Sequence, residues 1–159
     1  MKKLLLVFFL LLPTHALAME NEQEIGCLVE AVYHEARGES LAGILAVIGT
    51  ILARVERPEF PDTICEVVHA GVYWEGVPVR HRCAFTYWCD GRPERYGNLR
   101  DLGEVKKAVE FFIESGATVP SVAGATHYHT ALVTPYWMFA ECMIYLGQIG
   151  NHLFYICNR

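Results

Sequence analysis

The sequence contains little positive charge. Of its 159 residues, 13 are lysine or arginine and 18 are aspartate or glutamate, which gives a formal net charge of −5. No group of basic residues forms the patch that binding to nucleic-acid phosphates requires. The sequence therefore argues against a nucleic-acid partner. It also means that long-range attraction does not help the chain approach an anionic polymer.

Several motifs of known chemistry are also missing. The chain contains no Gly-x-Ser-x-Gly, no phosphate-binding loop and no Cys-x-x-Cys pair. Beyond the first residues there is no further apolar run long enough to cross a bilayer, so no second membrane segment is expected. There are no internal repeats and no low-complexity tracts. These absences leave a single globular domain as the expected organisation.

The N-terminus has the pattern of a secretory signal peptide. Lys2 and Lys3 precede an apolar run over residues 4–12, and the small-residue sequence Ala16-Leu17-Ala18 follows. We predict a signal peptide over residues 1–18 and one domain over residues 19–159. Such a chain would be exported to the periplasm or the extracellular space, without stable membrane insertion after cleavage. An uncleaved signal anchor is the alternative.

The predicted mature chain contains six cysteines, an even number. In an exported protein this indicates disulfides, because the compartment is oxidising. Six cysteines allow fifteen connectivities, and the sequence does not choose among them. Cys83 and Cys89 would close a short loop and are our first guess for a pair.

The first half of the chain has the pattern of two consecutive helices. Apolar residues recur at spacings of three and four up to Val32, which predicts a helix that ends near Glu35. Gly38 can end it in a left-handed conformation, and Ser40 can cap the next helix. That helix, over residues 41–55, is almost wholly apolar and is predicted to be the buried core, with Arg54 at its polar end.

Two further helices are predicted. A short one should cover residues 63–70, with Asp62 or Thr63 as its cap. A longer one should open at a capping box that starts at Asp101, and it should stop at Ser115-Gly116. Residues 71–99 between them show no sustained period, although they are rich in aromatic side chains.

The last third of the chain has a different period. Residues 125–130 alternate and favour a strand, as do residues 143–146 and 153–156. Turn residues over 147–151 separate the last two segments, and the segment around Trp137 is expected to cover the sheet. The predicted fold class is therefore α+β, mainly helical, with a small C-terminal antiparallel sheet.

Glu35 is the first candidate for chemistry. A carboxylate in the last turn of a helix faces the negative end of the helix dipole, which raises its pKa. A carboxyl group that stays protonated near neutral pH is what general-acid catalysis requires. Together with Glu39 it could form the pair of acids used in glycoside hydrolysis. The alternative is two solvated glutamates with Arg37 as a surface partner.

Two other groups of residues could form part of a site. The aromatic segment over residues 83–91 could stack against sugars, or it could pack as a small core under a loop. His127 and His129 lie on one side of a predicted strand and could bind zinc with His152 or His34. Histidines that pack in the core or contact a substrate are the alternative.

Several blocks of sequence, taken in order, identify a family. They include Tyr33-His34-Glu35-Ala36-Arg37-Gly38-Glu39, Phe85-Thr86-Tyr87-Trp88-Cys89-Asp90-Gly91 and Gly150-Asn151-His152-Leu153-Phe154-Tyr155. Together with Ala125-Thr126-His127-Tyr128-His129, they resemble the cell wall hydrolase family of the spore cortex-lytic enzymes (SleB type). The resemblance implies a lysozyme-like helical part and cleavage of peptidoglycan glycan strands. It also implies that Glu35 is the catalytic glutamate. Specificity for spore cortex does not carry over.

The resulting hypothesis is a lytic transglycosylase or muramidase that uses Glu35 as its single acid and base. Glu39 and Arg37 would support it. The residues expected to contact glycan are Phe85, Trp88, His127, Tyr128 and His129. No cofactor and no metal are expected, and the chain should act as a monomer. The alternatives are a zinc-dependent amidase that uses His127 and His129, and a glycan-binding module without catalysis.

Overall fold

The computed structural model describes residues 14–158. Most of the predicted signal peptide lies outside them. The described helices are α1 (Thr14–Ala36), α2 (Leu41–Val55), α3 (Ile64–Val68) and α4 (Leu99–Ser115). The described strands are β1 (Gly71–Trp74), β2 (Val77–Cys83), β3 (His127–Thr130), β4 (Met143–Ile149) and β5 (His152–Cys157). Within the described range, no helix has the length and apolar character needed to span a membrane.

The junction between α1 and α2 has the predicted form. Gly38 adopts a φ of 85°, a left-handed conformation that glycine reaches without a steric penalty. The Ser40 side chain then accepts a hydrogen bond from the Gly43 N–H at 3.3 Å and caps α2. The two local signals therefore fix where one helix ends and the next begins.

Helix α2 is the centre of the core, as predicted. Its buried residues are Gly43, Ile44, Leu45, Ala46, Val47, Ile48, Thr50, Ile51 and Arg54. The prediction that Arg54 marks a polar end is wrong, because Arg54 is only 8% exposed. It follows Ile51 by three residues and Thr50 by four, so it lies on their buried face.

The other helices differ from the prediction only at their ends. Thr63 caps α3 by accepting a hydrogen bond from the Glu66 N–H. Helix α4 begins two residues before Asp101, and its cap is Asn98, whose side chain accepts from two backbone N–H groups. The predicted capping box at Asp101 is therefore wrong. The predicted stop at Gly116 is confirmed by its left-handed φ of 63°.

Strands β1 and β2 form a hairpin that the sequence analysis did not predict. All four residues of β1 are exposed, so no alternation of apolar and polar residues marks it. The turn is Glu75-Gly76, where both residues have positive φ. The guess of a Cys83–Cys89 disulfide is confirmed, and it ties the end of β2 to a 3₁₀ helix, Thr86–Cys89.

The C-terminal sheet is antiparallel with strand order β3-β5-β4. Tyr128 pairs with Phe154, and His127 pairs with Tyr155. Because successive residues of a strand point to opposite faces, Tyr128 lies on one face and His127 on the other. The 3₁₀ helix Tyr136–Phe139 covers the His127 face, where the Trp137 ring centroid lies 5.0 Å from that of His127.

Helices and sheet share one apolar core. Residues of α1, α2, α3 and α4 pack in it together with Phe85, Val122, Ala125 and Phe154. Two more disulfides join distant parts of the chain: Cys27–Cys65 links α1 to α3, and Cys142–Cys157 joins the sheet's edge to its last residue. The α+β class with a mainly helical part and a small C-terminal sheet is confirmed.

Candidate active site

Glu35 lies in the last turn of α1, at the point where the helix meets the sheet. Its neighbours Tyr33 and Ala36 are almost fully buried and hold this turn against the core. The Glu35 carboxylate is itself largely enclosed, and its Oε2 accepts a hydrogen bond from the Tyr128 hydroxyl at 3.1 Å. The helical part and the sheet therefore each contribute one member of this contact.

The environment favours the protonated form of Glu35. Burial raises the pKa of its carboxyl group, because a charged carboxylate loses water that the protein does not fully replace. The hydrogen bond from Tyr128 and the charge of Arg54 lower that pKa by less. The net direction is upward, as the sequence analysis predicted. The main cause is burial, whereas the sequence analysis began from the helix dipole.

Arg54 supplies a buried positive charge near this acid. Its guanidinium carbon lies 5.0 Å from the ring centroid of Phe85 and 5.4 Å from that of Phe60. Its Nε donates to the Thr126 carbonyl oxygen at 2.7 Å. Held in this way, the guanidinium acts on Glu35 through its charge, since no ion pair joins the two side chains. The sequence analysis missed this role. The position of Arg54 on the apolar face of α2 could have indicated a buried charge.

Glu39 is packed into a cradle at the turn between β4 and β5. Its Oε1 accepts a hydrogen bond from the Asn151 side chain at 2.8 Å. The same oxygen lies 4.0 Å from Nδ1 of His152, too far for a hydrogen bond. Burial lowers the pKa of His152, which disfavours a charged partner for Glu39. These contacts fix the Glu39 side chain in place.

Gly150 makes this cradle possible, and we predict that Gly150→Ala is destabilising. Its φ is 56°, and a Cβ there would collide with the Glu39 carboxylate. Strain of this kind costs about 1–3 kcal/mol. Urea unfolding should show this loss. Gly103→Ala is the matched control, because Gly103 is helical with open space around it and should gain stability. Equal effects of the two changes would contradict the cradle.

Arg37 does not reach either acid in this structure. Its guanidinium carbon lies 5.0 Å from the ring centroid of Tyr33, and the side chain is exposed. The three ion pairs found within residues 14–158 do not include it. Its predicted part in supporting Glu35 or Glu39 therefore rests on no direct contact.

The two aromatic residues predicted to form a sugar-binding wall, Phe85 and Trp88, pack against other side chains of the protein. Phe85 is only 2% exposed and lies under Arg54. The Trp88 ring stacks on His69 with centroids 3.6 Å apart, and its Nε1 donates to the Tyr73 hydroxyl at 2.8 Å. Both rings pack the hairpin and its loop, which is the alternative that the sequence analysis left open. Phe85 is therefore closed to a sugar in this conformation, and Trp88 has one ring face covered by His69.

The three candidates on β3 separate onto two faces. Tyr128 faces Glu35, whereas His127 and His129 lie on the opposite side under Trp137. His129 Nε2 is 3.2 Å from the Tyr155 hydroxyl and its Nδ1 is 2.9 Å from the Thr130 carbonyl oxygen. The structure therefore brings Tyr128 to the acid and does not bring the two histidines there.

The histidines of the zinc alternative are also spread apart. His152 lies 5.1 Å, ring to ring, from Tyr128, on the face away from His127. The His34 ring stacks on Tyr87 at 4.8 Å. Across residues 14–158, no group of three histidine, cysteine, aspartate or glutamate side chains is arranged to hold a metal ion. The ligand set that the amidase alternative needs is not assembled.

Comparison with known proteins identifies the family. Residues 38–155 match the family described as Cell Wall Hydrolase. The chain belongs to this family. Spore cortex-lytic enzymes are similar: that of Halalkalibacterium halodurans is 32% identical over 146 residues, which are 91% of this chain and 38% of that protein. That of Bacillus subtilis is 29% identical over 84% of this chain and 38% of that protein. The chain spans about two fifths of these curated relatives.

Solved structures of the family share the fold. The catalytic domain of the germination-specific lytic transglycosylase SleB from Bacillus anthracis superposes with a TM-score of 0.61 at 29% identity. The match covers 86% of this chain and 95% of that one. The SleB catalytic domain from Bacillus cereus gives a TM-score of 0.56 at 27% identity. The family match begins at Gly38, so the position of Glu35 rests on the structure and on the local sequence.

Proposed function

We propose that this chain is a lytic transglycosylase that cleaves the glycan strand of peptidoglycan with Glu35 as its only acid and base. The observation that carries this proposal is the largely enclosed carboxyl group of Glu35, with its raised pKa and its hydrogen bond from Tyr128. The relatives named spore cortex-lytic enzymes and the lytic transglycosylase SleB support the same reaction class. We further infer that the enzyme acts outside the cytoplasm.

The first step uses Glu35 as an acid. The protonated carboxyl group donates its proton to the glycosidic oxygen between N-acetylmuramic acid and N-acetylglucosamine. The bond from muramyl C1 to that oxygen breaks, and the N-acetylglucosamine leaves with a new hydroxyl group. Positive charge develops at C1 and is shared with the ring oxygen. Glu35 is now a carboxylate.

The second step uses the same residue as a base. The Glu35 carboxylate takes the proton from the muramyl C6 hydroxyl, and O6 forms a bond to C1. The product is a 1,6-anhydro ring, and Glu35 is protonated again for the next cycle. Because the attacking group belongs to the substrate, no second carboxylate is needed as a nucleophile. Glu39, held by Asn151, can therefore be structural.

Tyr128 has a defined part in this cycle. Burial raises the pKa of its hydroxyl well above the ordinary value, and the nearby Glu35 raises it further. The hydroxyl therefore stays protonated and donates to the carboxylate that forms after the first proton transfer. This contact stabilises the charged state of Glu35 between the two steps.

We predict that Tyr128→Phe shifts the pH profile of cleavage towards alkaline pH. Removal of the hydrogen bond that lowers the pKa of Glu35 should let that pKa rise further, so the acid stays protonated to a higher pH. The rate of cleavage should also fall, because the carboxylate loses its donor. Rates measured across a pH series check this. An unchanged alkaline limb would show that Tyr128 does not act on the catalytic acid.

Digestion of purified peptidoglycan tests the proposed reaction class. The enzyme should release soluble saccharides whose stem peptides remain attached, and a metal chelator should not change the rate. Release of free stem peptides that stops on chelation would instead identify a zinc amidase. Binding to the polymer without release of any fragment would identify a glycan-binding module. Either result would overturn the proposal.

A further inference from the structure

A pocket lies on the neighbouring side of the helical turn that carries Glu35. Consecutive residues of a helix point about 100° apart, so His34 faces a different direction from Glu35. The pocket has a volume of about 200 Å³, below the range of drug-sized ligand sites. Its lining includes His34, Arg37, Tyr87, Asp90, Arg92, Glu94 and Arg95. The proposed mechanism uses none of these residues.

Two buried polar atoms in this pocket have no partner. The Tyr87 side chain is 8% exposed, and neither its hydroxyl nor Nε2 of His34 makes a hydrogen bond to any described residue. The two rings stack with centroids 4.8 Å apart and planes 8° apart, which fixes both atoms in position. Buried polar atoms are rarely left unpaired, so this pair of rings forms a floor that is incomplete without a ligand.

Charged groups of both signs surround this floor. Arg37, Arg92 and Arg95 line the pocket, and none of the three forms an ion pair with another described side chain. Of the two acids, Asp90 already accepts a hydrogen bond at 2.7 Å from the backbone N–H of Arg92. The pocket therefore has three guanidinium groups for two carboxylates. The lining residues therefore carry a net charge of +1, which matches an anion of single charge better than a doubly charged phosphate.

The chemistry of the pocket favours a carboxylate. Guanidinium groups pair with carboxylates through two parallel hydrogen bonds. Burial and the charge of Arg37 lower the pKa of His34, whereas burial and then the charges of Glu30, Glu35 and Glu94 raise the pKa of Tyr87. The floor therefore consists of a neutral imidazole and a protonated hydroxyl, and the hydroxyl can donate to an anion.

We propose that this pocket binds a carboxylate of the stem peptide carried by the muramyl residue of the substrate. The identity of the ligand rests on the proposed function, since peptidoglycan is the polymer that would place such a carboxylate beside Glu35. The enzyme would then act on glycan that carries peptides. The pocket would recognise the peptide next to the bond that is cut.

Calorimetric titration with soluble muropeptides tests this inference without relying on cleavage. The probe is a disaccharide that carries its stem peptide, compared with the same molecule after its carboxylates are converted to amides. We expect the carboxylate form to bind at least about tenfold more tightly, as expected for a hydrogen-bonded charge pair. Equal affinity of the two forms, or no binding of either, would overturn the inference.

Variants locate the effect in this pocket. Arg95→Gln and Tyr87→Phe should each weaken binding of the carboxylate form towards that of the amide form. Lys106→Gln removes the same charge from an exposed position on α4 and should change neither affinity. Tyr87→Phe deletes a hydroxyl that has no partner, so its melting temperature should not fall. A lower melting temperature with equal loss for both probes would show that Tyr87 is merely structural.

The inference and the proposed function can fail separately. A chain that distinguishes the two muropeptides but releases no saccharide from peptidoglycan would overturn the proposed reaction and leave the pocket assigned. A chain that cleaves glycan but binds both muropeptides equally would overturn the pocket alone.

Discussion

Glu35→Gln should lower the rate of glycan cleavage by about 10³-fold or more, because the same carboxyl group donates and then accepts the transferred proton. Glutamine keeps the size of the side chain and an oxygen that can accept the Tyr128 hydrogen bond, but it cannot transfer the proton. Release of soluble saccharide from purified peptidoglycan measures the loss. Glu39→Gln is the matched control, and it should retain most activity. An equal loss in both variants would contradict the single-acid mechanism.

The same substitution should leave the fold intact and change how stability depends on pH. The folded-state pKa of Glu35 lies above the ordinary value of 4.5 for a glutamate. Its contribution to stability is therefore fully present below that value and is lost as the pH rises through the raised pKa. Glu35→Gln removes this titration, so its stability relative to the wild type should increase from acidic to neutral pH. Denaturant unfolding at several pH values checks the direction. A relative stability that decreases with pH would contradict the raised pKa.

Removal of the Cys27–Cys65 disulfide should cause the largest loss of stability among the changes considered. The two cysteines are 38 residues apart, and their bond joins α1, which carries Glu35, to α3. The double change Cys27→Ala and Cys65→Ala should cost about 4 kcal/mol, because an uncrosslinked loop of this length gains conformational entropy on unfolding. The free energy of unfolding in urea measures the effect.

The Cys83–Cys89 disulfide is the comparison for this prediction. Its two cysteines are only 6 residues apart, so the same entropic argument gives about 2 kcal/mol for its removal. The loss in the free energy of unfolding should therefore be roughly twice as large for the first double variant as for the second. If the short disulfide contributes as much as the long one, loop entropy does not explain how these two disulfides stabilise the chain.

The helical part of the site could be predicted because its signals are local. Gly38 and Ser40 are neighbours in sequence, and each acts on the backbone within a few residues. The end of α1, the start of α2 and therefore the position of Glu35 at their junction follow from these signals. The upward direction of the Glu35 pKa shift could also be predicted from the helix end. Its main cause, however, is burial by segments that are distant in sequence.

What could not be predicted depends on contacts between distant segments. Tyr128 lies 93 residues from Glu35, and only the register of β3 against β5 decides that it faces the acid. The same register places His127 and His129 on the opposite face, under Trp137. Their alternation in sequence showed that they share a face but not which face of the sheet it is. The prediction for Arg54 was wrong because it relied on the charge of the side chain. Its spacing from Thr50 and Ile51 along α2 indicates the buried face instead. The β1–β2 hairpin could not be predicted, because a strand without a buried face has no alternation of apolar and polar residues.

Mass spectrometry of the released saccharides tests the central claim most directly. Peptidoglycan digested by the wild-type chain should yield fragments that end in 1,6-anhydro-N-acetylmuramic acid, and the Glu35→Gln variant should yield none. A reducing muramyl end would show that water is the attacking group, which requires a different base or a second carboxylate. A reducing N-acetylglucosamine end would show that the other glycosidic bond is cut. Either product, or anhydro ends from the Glu35→Gln variant, would contradict the assignment of both steps to Glu35.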